Sequence, residues 1–199
     1  SWRGIFVVLF GLAALLLVVA VLRLPESLPP ERRTAGSFRA TTRTFGLLCR
    51  DRRFLGYGAT LACGTGTLTA LVTGSTFVVQ DEFAASAQVF AFLFSAGALA
   101  VVLATVLNRY LLRRFSPRRL LVAGLAANAV GAVGLLAFGR SGMAAFTPCF
   151  ILLVATWGFI SANGTAIAVR DHASVAGAAL ALIGLMQYTT GALAAPLAG

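Results

Sequence analysis

The sequence predicts an all-α fold: a polytopic membrane helix bundle with six transmembrane helices. Three observations predict it. Of 199 residues, 59% are hydrophobic and only 11% are charged, whereas a soluble domain carries about a quarter charged residues. Mean hydropathy is +0.90. Uncharged apolar runs also recur six times, each long enough to cross a ~30 Å hydrocarbon core at ~1.5 Å per residue. This balance excludes a disordered chain, a coiled coil and a small disulfide-stapled domain.

The first run is 4–22, between Arg3 and Arg23. It is longer than a signal-peptide apolar core and no A-x-A site follows it, so it reads as a true span. Residues 12–22 are apolar on every side. A barrel strand would alternate with a period of two, so helices are left as the way to satisfy the backbone in lipid. The stretch 23–53 is the one long connection. Pro25, Pro29 and Pro30 open it as extended chain. After Gly36, the residues Phe38, Thr41, Phe45 and Leu48 recur at helical spacing, with Arg39, Arg43 and Arg50 on other faces. That pattern predicts a short amphipathic helix lying on the inner leaflet.

The second run is 54–79. Thr65, Thr69, Thr73 and Thr76 fall at i, i+4, i+8 and i+11 within it, as one hydroxyl stripe. Such a stripe either lines a wet cavity or bonds back to carbonyls one turn earlier. Run 88–108 follows, then a basic loop, 109–119. Run 120–138 carries Asn128 between Gly124 and Gly131, a pattern that suits an interhelical hydrogen bond. Run 146–169 carries Thr156, Trp157, Ser161 and Asn163. A buried indole needs a partner for its N–H, and an asparagine in lipid must face protein. Run 175–198 carries Gln187 on a face shared with Gly184 and Gly191, where another backbone can approach closely. The domains predicted are therefore 1–22, a membrane helix; 23–53, a cytoplasmic central loop with its amphipathic helix; and 54–199, a bundle of five helices.

All 16 basic residues are arginines, against six acids, for a net charge of +10. They cluster between uncharged runs. That suits topology control better than a face tracking nucleic-acid phosphates, so the partner expected is the lipid bilayer and not nucleic acid. The loops 23–53, 109–119 and 170–174 hold all the arginines except Arg3 and Arg140. The positive-inside rule places those three loops in the cytoplasm. The acids Glu26, Glu31, Asp51, Asp81, Glu82 and Asp171 all lie in loops or at span ends, and His172 reads as a solvated turn residue. No catalytic constellation and no phosphate-binding glycine loop is present, which argues against an enzyme. Cys49, Cys63 and Cys149 are odd in number and scattered, and read as buried small hydrophobes. No metal and no cofactor is expected. The chain starts without Met and ends in an apolar run, and so reads as a piece of a longer protein.

Several stretches in order carry a family resemblance: RLPESLPPERR (23–33), FLGY (54–57), GSTFVVQD (74–81), NRYLLRRFSPRRLL (108–121), VAG (175–177), GLMQY (184–188) and GALAAPLAG (191–199). Together they resemble the Bcr/CflA drug-resistance family of the major facilitator superfamily. These are bacterial proton-coupled exporters associated with bicyclomycin, chloramphenicol and similar drugs. The resemblance implies that this chain runs from the family's sixth helix through its eleventh, in the bacterial inner membrane. The rest of the N-terminal half would be its partner, with drug-like small molecules and protons as cargo. It also implies that the second and fifth spans here face a central cavity. Thr65, Thr69, Thr73, Thr76, Trp157 and Ser161, with Asn163 and Gln187, are then the substrate-binding candidates. Arg109, Arg113, Arg114, Arg118 and Arg119 become a cytoplasmic gate and lipid contact. The coupling acid is expected in the N-terminal half, since no span here holds one. Three positions depart from the family pattern: Thr76 stands for a common Pro, Leu71 for a common Tyr, and Ala162 for a Pro before Asn163. The alternative functions are a non-transport membrane scaffold or a transporter of another small solute.

Overall fold

The computed structural model describes residues 2–23 and 38–197. The stretch 24–37, where the prolines predict extended chain, lies outside the described residues, as do 198 and 199. The chain divides into two compact units, Ser1–Ala40 and Thr41–Gly199. The first holds α1 (Trp2–Arg23). No polar residue interrupts it after Arg3, so it is apolar all round, as a lipid-spanning helix must be.

The remaining helices are α2 (Phe38–Leu48), α3 (Arg52–Phe77), α4 (Ala87–Leu111), α5 (Pro117–Phe138), α6 (Met143–Arg170) and α7 (Ala176–Ala194). Among the described residues six helices, α1 and α3 to α7, are long and apolar enough to cross a membrane. No strand occurs among the described residues.

Local chemistry sets the helix ends. Asp51 caps α3, its Oδ1 accepting from the backbone N–H groups of Arg53 at 2.8 Å and Phe54 at 3.3 Å. Ser86 caps α4 and Ser116 caps α5, with Pro117 in the first helical position, where its missing N–H is harmless. Gly142 precedes α6 at φ 119°, a conformation that other residues resist. The far end of α3 widens into a π turn, Val78–Glu82, in which the Phe83 N–H reaches back to the Val78 carbonyl at 3.1 Å.

Within the second unit α6 is the central helix. It packs against α3, α4 and α5, while α7 packs mainly against α3. Successive spans alternate in direction, so α3 and α7 run parallel, and so do α4 and α6. Two apolar clusters hold the bundle. One joins Leu48, Phe54, Leu61, Ile160, Ala179 and Ile183 near the arginine-rich end. The other joins Val79, Leu93, Phe146, Phe150 and Val154 near the opposite end. α4 and α5 diverge over α6 and leave an apolar groove of about 520 Å³.

The short helix α2 carries Thr41, Phe45 and Leu48 at helical spacing. Leu48 is 2% exposed, and it and Phe45 pack into the first cluster, while Leu47 remains exposed. Part of its apolar face, Phe45 and Leu48, thus meets protein. The cysteines depart from expectation. Cys49 and Cys63 are exposed and Cys149 is half-buried, its Sγ lying 3.0 Å from where a Cβ on Gly134 would stand. An apolar run cannot say which way a thiol faces, because lipid is as apolar as the core.

Candidate functional site

The threonine stripe of α3 divides between two environments. Thr65 and Thr69 pack against α7. A Cβ on Gly191 would meet Thr69 Oγ1 at 3.1 Å and Thr65 Cγ2 at 3.5 Å. Both hydroxyls bond back along the helix, Thr65 to the Leu61 carbonyl at 3.0 Å and Thr69 to the Thr65 carbonyl at 2.9 Å. Thr76 donates to the Val72 carbonyl at 3.4 Å. Thr73 is half-buried and makes no hydrogen bond among the described residues. Beside the stripe, Ser75 is buried and donates to the Val72 carbonyl at 2.9 Å.

Trp157 lies across α3 on another side. Its Cζ3 sits 2.7 Å from where a Cβ on Gly64 would stand, so only a glycine admits the ring. Trp157, Thr67, Leu71 and Asn128 border a space of about 10 Å³, the lower limit for one water. The structure therefore brings Trp157 to Thr67 and not to the stripe. Thr67 was not singled out from the sequence, because it sits off the stripe and its hydroxyl bonds back to Cys63 like any helical threonine. Ser161 donates to the Trp157 carbonyl at 2.7 Å.

Asn163 is tied into the structure from both sides. Its Nδ2 donates to Asn108 Oδ1 at 2.7 Å and to the Phe159 carbonyl at 2.8 Å. The two asparagines are 2% and 3% exposed. Asn108 closes the apolar run of α4, and an amide at that position was the available signal for a buried partner. Asn128 links α5 to α6 by donating to Thr156 Oγ1 at 2.8 Å. Gln187 is half-buried and makes no hydrogen bond among the described residues. Gly184, on its face, meets nothing within 4 Å, whereas Gly191 meets α3.

The arginine-rich end is more ordered than its composition suggests. Arg109, Arg113, Arg114, Arg118 and Arg119 are all exposed around the α4–α5 turn, and Arg113 stacks over the Tyr110 ring at 5.3 Å. His172 is not a solvated turn residue. Its side chain is 19% exposed, with Nε2 3.2 Å from Asp51 Oδ2, Nδ1 3.3 Å from the Ala168 carbonyl, and its ring edge-on to Phe54. The sequence hid this because residues 51 and 172 are distant along the chain. At the opposite end Arg140 pairs with Glu82 at 3.2 Å in an exposed bridge worth little.

The backbone N–H groups of Arg53 and then Phe54 hold the Asp51 carboxyl below the usual carboxylate range. Burial works against this, and the His172 and Arg53 charges add smaller lowering effects. A folded-state value below the unfolded one stabilises the fold above the ordinary carboxylate range. That stability is lost as pH falls through the folded value. The melting temperature should therefore fall below about pH 4. Asp51→Asn keeps a capping acceptor but cannot titrate, so melting curves across pH should show a shallower acid limb in the variant.

The family model described as Major Facilitator Superfamily matches residues 1–196. The chain belongs to the major facilitator superfamily. It is 30% identical over 203 residues to the uncharacterized MFS-type transporter YdgK of Bacillus subtilis (strain 168), matching all of this chain and 50% of that protein. It is 27% identical over 197 residues to the bicyclomycin resistance protein homolog of Haemophilus influenzae, matching 96% of this chain and 49% of that protein. The chain spans about half the length of these curated relatives. No solved structure matches it significantly. Membership, with six helices able to span, makes this a multi-pass membrane chain of that superfamily. Superfamily halves contain inverted three-helix repeats, and the helix pairs follow such an exchange. α3 packs on α7 through Gly191 against Thr69, and α4 packs on α6 through Gly158 against Thr105.

Proposed function

We propose that the chain belongs to a proton-coupled exporter of drug-like small molecules, working by alternating access in a bacterial inner membrane. One observation carries this reading: the likeness to the bicyclomycin resistance protein homolog extends over 96% of the chain. The arginine placement supports an orientation with the α2–α3, α4–α5 and α6–α7 connections in the cytoplasm. Two halves rock about a midplane site in this mechanism. On this reading Trp157 is an aromatic wall of the site, and the unbonded Thr73 and Gln187 offer adaptable polar contacts. Thr65, Thr69, Thr76, Ser161 and Asn163 shape the helices that carry them. Arg109, Arg113, Arg114, Arg118 and Arg119 form the cytoplasmic gate and headgroup contact. The coupling acid is assigned outside these spans, because the described carboxylates stand at helix ends.

The test is drug tolerance of an efflux-deficient bacterium expressing the full-length protein. Tolerance should rise, and a proton uncoupler should abolish the gain. Trp157→Ala should reduce transport of aromatic drugs about tenfold, the factor carried by ~1.4 kcal/mol of lost ring contact. Thr69→Val, at a helix contact, should change it little. No tolerance to a broad drug panel despite confirmed membrane expression would reject drug export in favour of another solute.

A further inference from the structure

The first turns of α3 and α5 and the last turn of α6 enclose a cavity of about 580 Å³ at the arginine-rich end. Arg53, Tyr57, Ser116, Arg118, Arg170 and Asp171 line it. Three exposed arginines from three helices thus line one space that has a single carboxylate residue, Asp171. That carboxylate is engaged, since Asp171 Oδ1 accepts from Arg170 Nε at 3.2 Å. The guanidiniums of Arg53 and Arg118 make no ion pair among the described residues. Asp51 lies close enough to feel the Arg53 charge, but its oxygens go to the α3 cap and to His172.

Neutral donors complete the set. The Tyr57 hydroxyl makes no hydrogen bond among the described residues. Ser116 Oγ accepts from the Arg119 N–H at 3.4 Å, which leaves its O–H free to donate. The α3 and α5 N-termini aim positive dipole ends toward this level, and the α6 C-terminus a negative one, so the net positive field comes from the arginines. The remaining wall is apolar, from Ala166 and Ile167. Two unpaired guanidiniums, two hydroxyl donors and an apolar wall at the depth of a helix's first turn match a phosphate group joined to an aliphatic body. Phosphate oxygens accept forked, charge-assisted hydrogen bonds from guanidinium groups.

We propose that this cavity is a specific phosphate-binding site that holds the phosphate of an anionic lipid headgroup. It goes beyond the drug-export reading and rests only on the arginine-rich end standing at the membrane surface. A specific site differs from general attraction between basic loops and an acidic leaflet, because only the cavity residues matter.

Native mass spectrometry of the full-length protein in detergent tests this, with phosphatidylglycerol as probe and phosphatidylcholine as the zwitterionic control. One phosphatidylglycerol should be retained preferentially. Arg53→Gln with Arg118→Gln should weaken it about tenfold or more, since each removes charge-assisted hydrogen bonds. Tyr57→Phe, which keeps the ring packing, should weaken it about threefold, as the loss of one neutral hydrogen bond would. Arg50→Gln removes the same charge at the same end, from an exposed residue outside the cavity, and should leave binding unchanged. Millimolar inorganic phosphate should fail to displace the lipid; displacement would identify free phosphate as the ligand of the same site. Equal weakening by Arg50→Gln, or no weakening by the cavity variants, would overturn the proposal. Binding is read without transport, so failure of drug export leaves this result standing.

Discussion

Gly158→Leu should destabilise the bundle by about 3 kcal/mol, the upper end for forcing atoms into a filled interior. A Cβ at Gly158 would stand 2.9 Å from Thr105 Oγ1, 3.1 Å from the Val101 carbonyl oxygen and 3.3 Å from Ala104 Cβ. The threonine cannot simply swing away, because its hydroxyl is held to the Val101 carbonyl at 2.8 Å. The carbonyl is backbone and cannot yield without moving α4. The leucine must therefore pry α4 from α6, the helix on which α3 and α5 also rest. Gly177→Leu is the matched comparison, since nothing lies within 4 Å of that glycine. Unfolding in mixed micelles should show a large loss for the first and almost none for the second. Equal losses would mean that α4 and α6 do not approach this closely.

Asn163→Leu should cost about 2 kcal/mol and Asn108→Leu about 1 kcal/mol, because the two changes strand different groups. Without Asn163 the buried Asn108 amide loses its 2.7 Å bond and has no other partner among the described residues. Without Asn108, Asn163 still donates to the Phe159 carbonyl. The double variant should lose less than the two singles together, with a coupling of about 1 kcal/mol, inside the range for hydrogen bonds between membrane helices. Strict additivity in a double-mutant cycle would show that the amides do not meet.

The spans were legible in the sequence because the bilayer imposes a length and forbids charge. The caps Asp51, Ser86 and Ser116 carry an equally local signal, a short polar side chain before an apolar run, which the sequence reading did not draw on. Facing was not. Helical spacing puts Thr65, Thr69, Thr73 and Thr76 on one side of α3, but it cannot say that α7 covers the first two and leaves Thr73 unbonded. In water, burial follows hydrophobicity; in lipid it does not, so Cys63 in an apolar run points outward and polar Asn108 points in. Long-range pairs were also invisible. Asp51 with His172 and Asn108 with Asn163 are each joined by a fold that no single segment specifies. Trp157 was legible as an aromatic needing a partner, whereas Gly64 was not singled out. That one seats the other required the α3–α6 crossing.

The π turn at Val78–Glu82 has a consequence for how the length of α3 can vary. A wide turn absorbs one residue more than the ordinary pitch would use. Removing one residue there returns the helix to regular winding and leaves 52–77 in place. Removing one residue earlier in α3 would swing every later side chain by about 100° around the axis. Between residues 52 and 65 that would carry Thr65 and Thr69 off Gly191. Single-residue insertions and deletions are thus confined to one end of this helix, and the turn serves as its expansion joint.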